Sequence, residues 1–291
     1  MRKITDYKYL PGVVHWRVGR KIVSTLNDGY FQANKNFLQG VSHYETANLQ
    51  RKALRPEEPL LTINAFVIQS EFHKPILVDS GYGCHGVGSL GHVKDALAMA
   101  GVTPEEIEVI LITHMHSDHI GGLTDDEGNK LYPNAKIWIN RIEYDYWIGN
   151  HHLPGSAQKT AETAEKLLAP YKHDIRLFEG DAKLLPGITA VPLYGHTPGH
   201  TGFRITEGGD ELLIWGDVVQ LQAVQGVEPM AGSITDSDSV GAALTRRNML
   251  EEAADNRWLV AGMHIEFPGV AYVERFEKGF RLVPELWVNR I

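Results

Sequence analysis

The apolar positions of the chain fall in short runs rich in Val, Ile and Leu, the pattern of strands buried on both faces. Residues 63–68 and 75–79 are the first such pair, and they predict a hairpin whose second strand ends in the turn Ser80-Gly81-Tyr82-Gly83. Residues 92–100 instead place Val93, Ala96, Leu97 and Ala100 on one helical face and stop at Gly101. Thr103 and Pro104 resemble a second helix start, and residues 107–113 return to the β-branched run of a buried strand. A second series begins near residue 175, with strands predicted at 176–178, 188–191, 203–206, 211–215 and 258–261. One long helix is predicted at 237–254, capped by Asp236 or Ser237. Between residues 27 and 60 the pattern is polar and mixed, with Tyr30, Phe31, Phe37 and Tyr44 scattered through it, and predicts an excursion or arm rather than core. No Pro/Gly/Ser linker separates the two halves. The expectation is one α/β domain in which residues 1–60 form an arm with first strand elements and residues 61–291 the main body. Two sheets packed together with helices outside fit this order.

Composition narrows the partners. With 43% hydrophobic and 22% charged residues in 291, the chain reads as a soluble protein with a substantial core. A net charge of -8 argues against nucleic acid, because phosphate contacts need clustered Lys and Arg. The nearest basic pair, Arg246-Arg247, is followed by Glu251-Glu252 and reads as a solvated helix face. Cys84 is the only cysteine, so there is no internal disulfide and at most one thiolate ligand. The start Met1-Arg2-Lys3-Ile4-Thr5-Asp6 is not followed by the apolar run of a secretory signal, and no stretch has transmembrane length. A cytoplasmic protein without a membrane partner is expected.

Histidine changes the picture most. Of the 14 histidines, His15, His43, His73, His85, His92 and His173 lie in unpatterned contexts and read as surface or satisfied core residues. His151-His152 reads as exposed loop. By contrast, His114-Met115-His116-Ser117-Asp118-His119 packs four metal-ligating side chains into one strand-to-helix loop. In such a loop His114 and His116 can point the same way and share one cation, while Asp118 and His119 turn toward a second. Gly121-Gly122 allows close backbone packing beside them. Further ligands follow other predicted strands: His196 and His200 in Gly195-His196-Thr197-Pro198-Gly199-His200, Asp217 after Trp215-Gly216, and His264 after Gly262-Met263.

These residues, in this order, resemble the metallo-β-lactamase superfamily along nearly the whole chain from Ile63 onward. The resemblance implies a metallo-β-lactamase-like αββα sandwich with an N-terminal extension. It implies that His114, His116 and His196 form a first metal site, that Asp118, His119 and His264 form a second, and that Asp217 bridges both. Asp79 and His200 would orient the ligands from behind. Two divalent cations, zinc foremost given five imidazoles and two carboxylates, would hold a shared water and deliver hydroxide, with Asp118 carrying the proton.

Departures from the resembled branches narrow the activity. Class B β-lactamases commonly have Cys where Asp217 stands. Only 46 residues separate Asp217 from His264, too few for the nuclease insertions. A flavodiiron protein would have Glu in place of His116. No basic C-terminal cluster of the glyoxalase II kind is present. The stretches around His196, Asp217 and His264 resemble the branch of methyl parathion hydrolase and related lactonases, commonly dimers. The resemblance therefore implies a homodimeric hydrolase of lactones, aryl esters or phosphate esters. A glyoxalase II-type thioester hydrolase is the alternative within the class, and a non-catalytic metal-binding domain the one outside it. Gln220 stands where N-acyl-homoserine lactonases typically carry Tyr, which steers away from that substrate. Trp147, Ile148, Gln220 and Phe267 are the candidate pocket residues.

Overall fold

In a computed structural model, which describes residues 11–34, 36–86, 89–149 and 152–287, two seven-stranded sheets carry the predicted pattern. The first half of the chain supplies β1 (Val13–Val18), β2 (Lys21–Gln32), β3 (Leu38–Gln39), β4 (Leu60–Ser70), β5 (His73–Val78), β6 (Val109–Leu111), β7 (Lys136–Asn140) and β8 (Ile175–Phe178). The second supplies β9 (Lys183–Leu185), β10 (Ile188–Pro192), β11 (Thr201–Glu207), β12 (Asp210–Ile214), β13 (Gly232–Ser233), β14 (Leu259–Ala261), β15 (Val270–Phe276) and β16 (Gly279–Pro284). The first sheet runs β1-β2-β4-β5-β6-β7-β8, the second β16-β15-β14-β12-β11-β10-β9, and β3 pairs with β13. The helices are α1 (His43–Lys52), α2 (Val93–Met99), α3 (Ser117–Ile120), α4 (Arg141–Trp147), α5 (Ser156–Leu168), α6 (Gln222–Gln225) and α7 (Ser239–Asn256).

Strand alternation sorts the side chains into layers, because successive residues point to opposite faces. On β4 and β5, Ala65, Val67 and Leu77 join the helix-side core with Ala96, Leu97, Ala164 and Leu168. Their neighbours Phe66, Ile68, Ile76 and Val78 face the other sheet and meet Phe203, Ile205, Leu212 and Ile214. Behind the second sheet, Leu213, Trp215 and Val260 pack against Leu250 and Ala253 of α7. Helix, sheet, sheet and helix therefore stack in that order, the αββα sandwich expected. Phe66→Xaa changes would act in the middle layer, where each fully buried large side chain contributes roughly 1.5–3 kcal/mol.

The hairpin is present, with Phe66 opposite Val78 and Ile68 opposite Ile76. Three expectations need correction. The polar stretch beginning at residue 27 is not all excursion: residues 27–32 complete β2, paired along β4 from Ile22↔Gln69 to Gln32↔Leu60. Its buried polar groups have partners. Asn27 donates to Asn64 Oδ1 at 3.1 Å, and Asp28 accepts from Tyr82 N and Val93 N at 2.9 and 3.0 Å. Residues 33–59 do leave the sheet, and Phe37, Leu38 and Leu49 build a small satellite core there with Leu61, Leu221 and Val224. The cap of α7 is Asp238, which accepts from Gly241 N, because Asp236 is engaged elsewhere. Arg246 is not on a solvated face: it is 1% exposed and donates to the carbonyls of Val218, Pro229 and Ala231, whereas Arg247 lies outside on Glu251.

Residues 1–10, His151 and the side chain of His85, on which the readings of the N-terminus and of those two histidines fall, lie outside the described residues. Among the described residues, no helix is long and apolar enough to cross a membrane. The close packing foreseen at Gly121-Gly122 is present. A Cβ on Gly122 would stand 2.1 Å from Ser80 O, and one on Gly121 2.3 Å from Tyr82 O. Backbone cannot yield as a side-chain tip can, so Gly122→Ala is expected to destabilise the fold by about 2–3 kcal/mol, the upper range for overpacking. Chemical denaturation checks this; an unchanged midpoint would show that the two loops can separate freely.

Candidate metal centre

Four loops converge at one edge of the sandwich. His114 to His119 follow β6 and enter α3; His196 follows β10, Asp217 follows β12 and His264 follows β14. Thr201 N donates to Thr113 O at 2.9 Å and so fastens the second sheet's edge to the loop of the first.

His114 Nε2, His116 Nδ1 and His196 Nε2 stand 3.0, 3.1 and 3.2 Å apart in pairs. Four ligands arranged tetrahedrally about a cation at 2.0–2.1 Å would be separated by ~3.3 Å, so the spacing is that of nitrogens facing a common centre. Asp118, His119 and His264 form a second group, with Asp118 Oδ2 at 3.6 Å from His119 Nε2 and 3.4 Å from His264 Nε2. Asp217 joins the two. Its Oδ2 lies 3.3 Å from His196 Nε2 and 3.0 Å from His264 Nε2, and its Oδ1 lies 3.3 Å from His119 Nε2.

The donor set fits cations rather than hydrogen bonds. His119 Nε2 and Asp217 Oδ1 are buried and have no hydrogen-bond partner. Buried polar atoms are rarely left so, and each costs about 1–3 kcal/mol when unmet. Electrostatics agree. Burial and neighbouring imidazoles hold the pKa of His114 and His116 well below the usual range, leaving their lone pairs free. For His119 burial acts downward, yet Asp217, Asp118 and Asp79 outweigh it and raise the pKa to about 10. Burial likewise pushes Asp217 up, but His264, His119 and His114 carry it well below the usual carboxylate range. His114 and His116 offer neutral ligands, and the carboxylates around His119 demand positive charge.

Behind the ligands, further groups set ring orientation. Asp79 Oδ2 accepts from His119 Nδ1 at 2.7 Å and is itself held by Thr113 N and Oγ1 at 2.8 and 2.7 Å. Asp79 adopts φ +56°, a conformation that non-glycine residues rarely take outside constrained sites. His264 Nδ1 donates to Thr62 O at 2.8 Å, which leaves Nε2 to face Asp118 and Asp217. His200 donates from Nδ1 to Leu193 O, and its Nε2 accepts from Asp217 N at 3.0 Å. Burial, first, and His196 push its pKa down to about 3, so it stays neutral and steadies the Asp217 backbone. Gly216 is required beside it: φ is +59°, and a Cβ would lie 2.3 Å from His200 Nε2.

One contributor had no sequence signal for this role. Asp236 Oδ1 lies 2.8 Å from His196 Nδ1 while its Oδ2 accepts from Ser233 N at 2.7 Å. In sequence it is one acid among Asp236-Ser237-Asp238 before a helix, indistinguishable from a cap. Gln220 was singled out for the pocket, but its donor hydrogens are engaged: Nε2 lies 3.1 Å from Asp217 Oδ2 and 3.3 Å from Thr235 Oγ1.

A cavity of about 530 Å³ opens over both groups. Phe31, Phe37, Leu61, Tyr146, Trp147 and Ile234 supply its apolar lining, with Ile234 N donating to Phe37 O at 2.9 Å. Of the four candidate pocket residues, Trp147 and Gln220 line it. Ile148 packs against the helix-side core instead, and Phe267 lines an adjoining cavity shared with Gln220 and His264. Neither His15, bonded to Ser24, nor the exposed His152 joins the cluster.

Residues 59–264 match the family model described as the metallo-beta-lactamase superfamily. An N-acyl homoserine lactonase of Bacillus sp is 28% identical over 182 residues, which cover 55% of this chain and 66% of that protein. The matched stretch thus spans just under two thirds of the curated relative. Among solved structures, the dizinc quorum-quenching lactonase AidC, bound to its product, superposes with a TM-score of 0.90 at 25% identity, covering 96% of this chain and 99% of that one. The hydrolase AbOPH of the beta lactamase superfamily superposes equally, at TM-score 0.90 and 25% identity over 97% and 100% of the two chains.

Proposed function

The chain belongs to the metallo-beta-lactamase superfamily, and on that premise we propose that it is a dinuclear hydrolase that opens lactones with an apolar substituent. The observation that carries the substrate reading is the cavity. Its walls are aromatic and aliphatic, its hydroxyls come from serine, threonine and the tyrosines Tyr82 and Tyr146, and among the described lining residues there is no Lys or Arg. Such a site receives a neutral, partly apolar molecule. With no Lys or Arg in the lining, the carboxylates of a glutathione thioester find no cationic side chain there, which weighs against the glyoxalase II alternative. The match to a dizinc lactonase over 99% of its length supports both the chemistry and zinc as the first metal to test.

In this reading His114, His116 and His196 hold one cation, Asp118, His119 and His264 the other, and Asp217 touches both. When bound, the pair supplies Lewis acidity at the ester carbonyl and lowers the pKa of water held there. The remaining work falls to the chain. Asp118 is the most open of the clustered acids, at 16% side-chain exposure, and faces the cavity. It takes the proton of the attacking water as oxygen adds to the carbonyl carbon, and returns it to the ring oxygen as the C–O bond breaks, giving a hydroxy acid. Trp147 and the other aromatic lining residues Phe31, Phe37 and Tyr146 would limit the access of bulk water to the reacting carbonyl. With both Gln220 N–H groups turned to Asp217 and Thr235, no free donor at that position greets a substrate amide or carbonyl. Recognition therefore rests on the tail.

A substrate panel tests this: γ- and δ-lactones of graded chain length, an N-acyl homoserine lactone, an aryl ester, a phosphotriester and S-lactoylglutathione. Turnover of lactones is expected, with KM falling by up to about fourfold per added methylene, the equivalent of ~0.8 kcal/mol of burial. Aryl and phosphate esters, also neutral, are expected as slower substrates. Turnover of S-lactoylglutathione alone would overturn the reading.

A further inference from the structure

Glu143 is a fully buried carboxylate with no cation beside it and no role in the chemistry above. It projects from α4, whose first turn is capped by Asn140 through Ile142 N. Its Oε1 accepts from Met115 N at 2.8 Å and from Trp147 Nε1 at 2.6 Å. Its Oε2 accepts from Thr197 Oγ1 at 2.6 Å and from Gly199 N at 3.0 Å. A carboxylate has about four acceptor positions, and all are met by donors, which is the arrangement that keeps a buried charge in place. The loops come close to do this: a Cβ on Gly199 would stand 2.2 Å from Glu143 N.

The placement of those donors is what matters. Met115 lies between His114 and His116, Thr197 follows His196, and Gly199 precedes His200. One side chain therefore ties together the two loops that supply all three nitrogens of the first ligand group. The second group has other supports. Asp79 holds His119 and the Thr62 carbonyl holds His264, whereas the four hydrogen bonds of Glu143 go to Met115, Trp147, Thr197 and Gly199.

We infer that Glu143 is a positioning residue for the His114/His116/His196 group, setting the affinity of that group for its cation without setting that of the Asp118/His119/His264 group. This rests on the reading of the cluster as a two-cation centre. The physical reason is that three imidazoles form a site only while two separate loops keep their spacing, and a ligand loop free to shift spends binding energy on being ordered. Glutamine in this position keeps the shape but offers a single acceptor oxygen, and its NH2 then meets two donors head-on.

The test is equilibrium dialysis of the zinc-loaded, full-length protein against a graded chelator, with metal per chain read by mass spectrometry and thermal unfolding recorded alongside. In Glu143→Gln one cation is expected to leave at a chelator activity about 10–100-fold lower than in the unaltered protein, the usual effect of removing a ligand's supporting partner. The second cation should leave where it did before. Thr197→Val, which cuts only the tie to the His196 loop, should move the same release in the same direction by less, and it carries the test if Glu143→Gln does not fold. Cobalt substitution adds a spectroscopic readout, since loss of the three-imidazole site removes its own d–d bands. Release of both cations together, or release of both at the unaltered chelator activity, overturns the inference. If the unaltered protein itself holds no divalent cation, the two-cation reading fails instead.

Discussion

Asp217→Ala is expected to empty the centre of its cations and to lower hydrolysis by about three orders of magnitude or more, equivalent to ~4 kcal/mol of barrier at 1.36 kcal/mol per decade. The carboxylate lies within 3.0–3.9 Å of ring nitrogens on His264, His196 and His114 through Oδ2, and 3.3 Å from His119 through Oδ1. No other side chain touches both ligand groups so directly. Its removal leaves four buried imidazoles without their shared negative charge and leaves the Gln220 amide without its acceptor. Both cations should then be lost together, in contrast to the single loss expected of Glu143→Gln. Metal content and kcat/KM, measured on the same preparation, check this. An inactive Asp217→Ala protein that retains two cations would assign the residue to the bond-breaking step rather than to holding the metals.

Stripping the metals from the unaltered protein is expected to abolish hydrolysis and to lower thermal stability, with both restored by zinc. The cluster is a costly construction without them. His119 Nε2 and Asp217 Oδ1 have no partner, and Asp118, Asp79 and Asp217 crowd around His119 strongly enough to raise its pKa to about 10. A ligand bound to the folded state alone, at a thousandfold over its dissociation constant, adds about 4 kcal/mol of stability. For a chain of this size that corresponds to a Tm shift of roughly 5 °C or more. Scanning calorimetry with and without chelator measures it, and an unchanged Tm would mean the folded chain takes up cations too weakly to matter.

The parts of the fold that were legible in sequence are those where hydropathy and position agree. Residues 63–68 and 75–79 are apolar because they lie between a helix layer and a second sheet, and they appear as the cores of β4 and β5. β2 was hidden for the opposite reason. Lys21, Ser24, Thr25, Asn27 and Asp28 are polar yet buried, each satisfied by a neighbour that only the folded chain supplies. Arg246 is hidden in the same way, since its three carbonyl acceptors are 15 to 28 residues distant. The ligands show the same division. Four of them share six consecutive residues, and the rest each follow a predicted strand. Asp236 and Glu143 are single acids whose partners in the ligand loops lie 40 and 28 to 56 residues away, and no spacing rule reaches those.

The centre draws its ligands from both halves of the sandwich: His114 to His119 from the edge of the first sheet, and His196, Asp217 and His264 from the edge of the second. A cation shared across that seam would be a reversible cross-link, closing a loop of 145 residues between His119 and His264. Closure of so long a loop costs entropy that rises only about 0.6 kcal/mol per doubling, so most of it has been met once the sheets have docked. Metal uptake would then follow docking of the sheets, and metal occupancy would gauge how well the two halves are seated. Substitutions in the layer that holds Phe66 and Phe203, neither of them a ligand, should weaken metal retention before they unfold the chain.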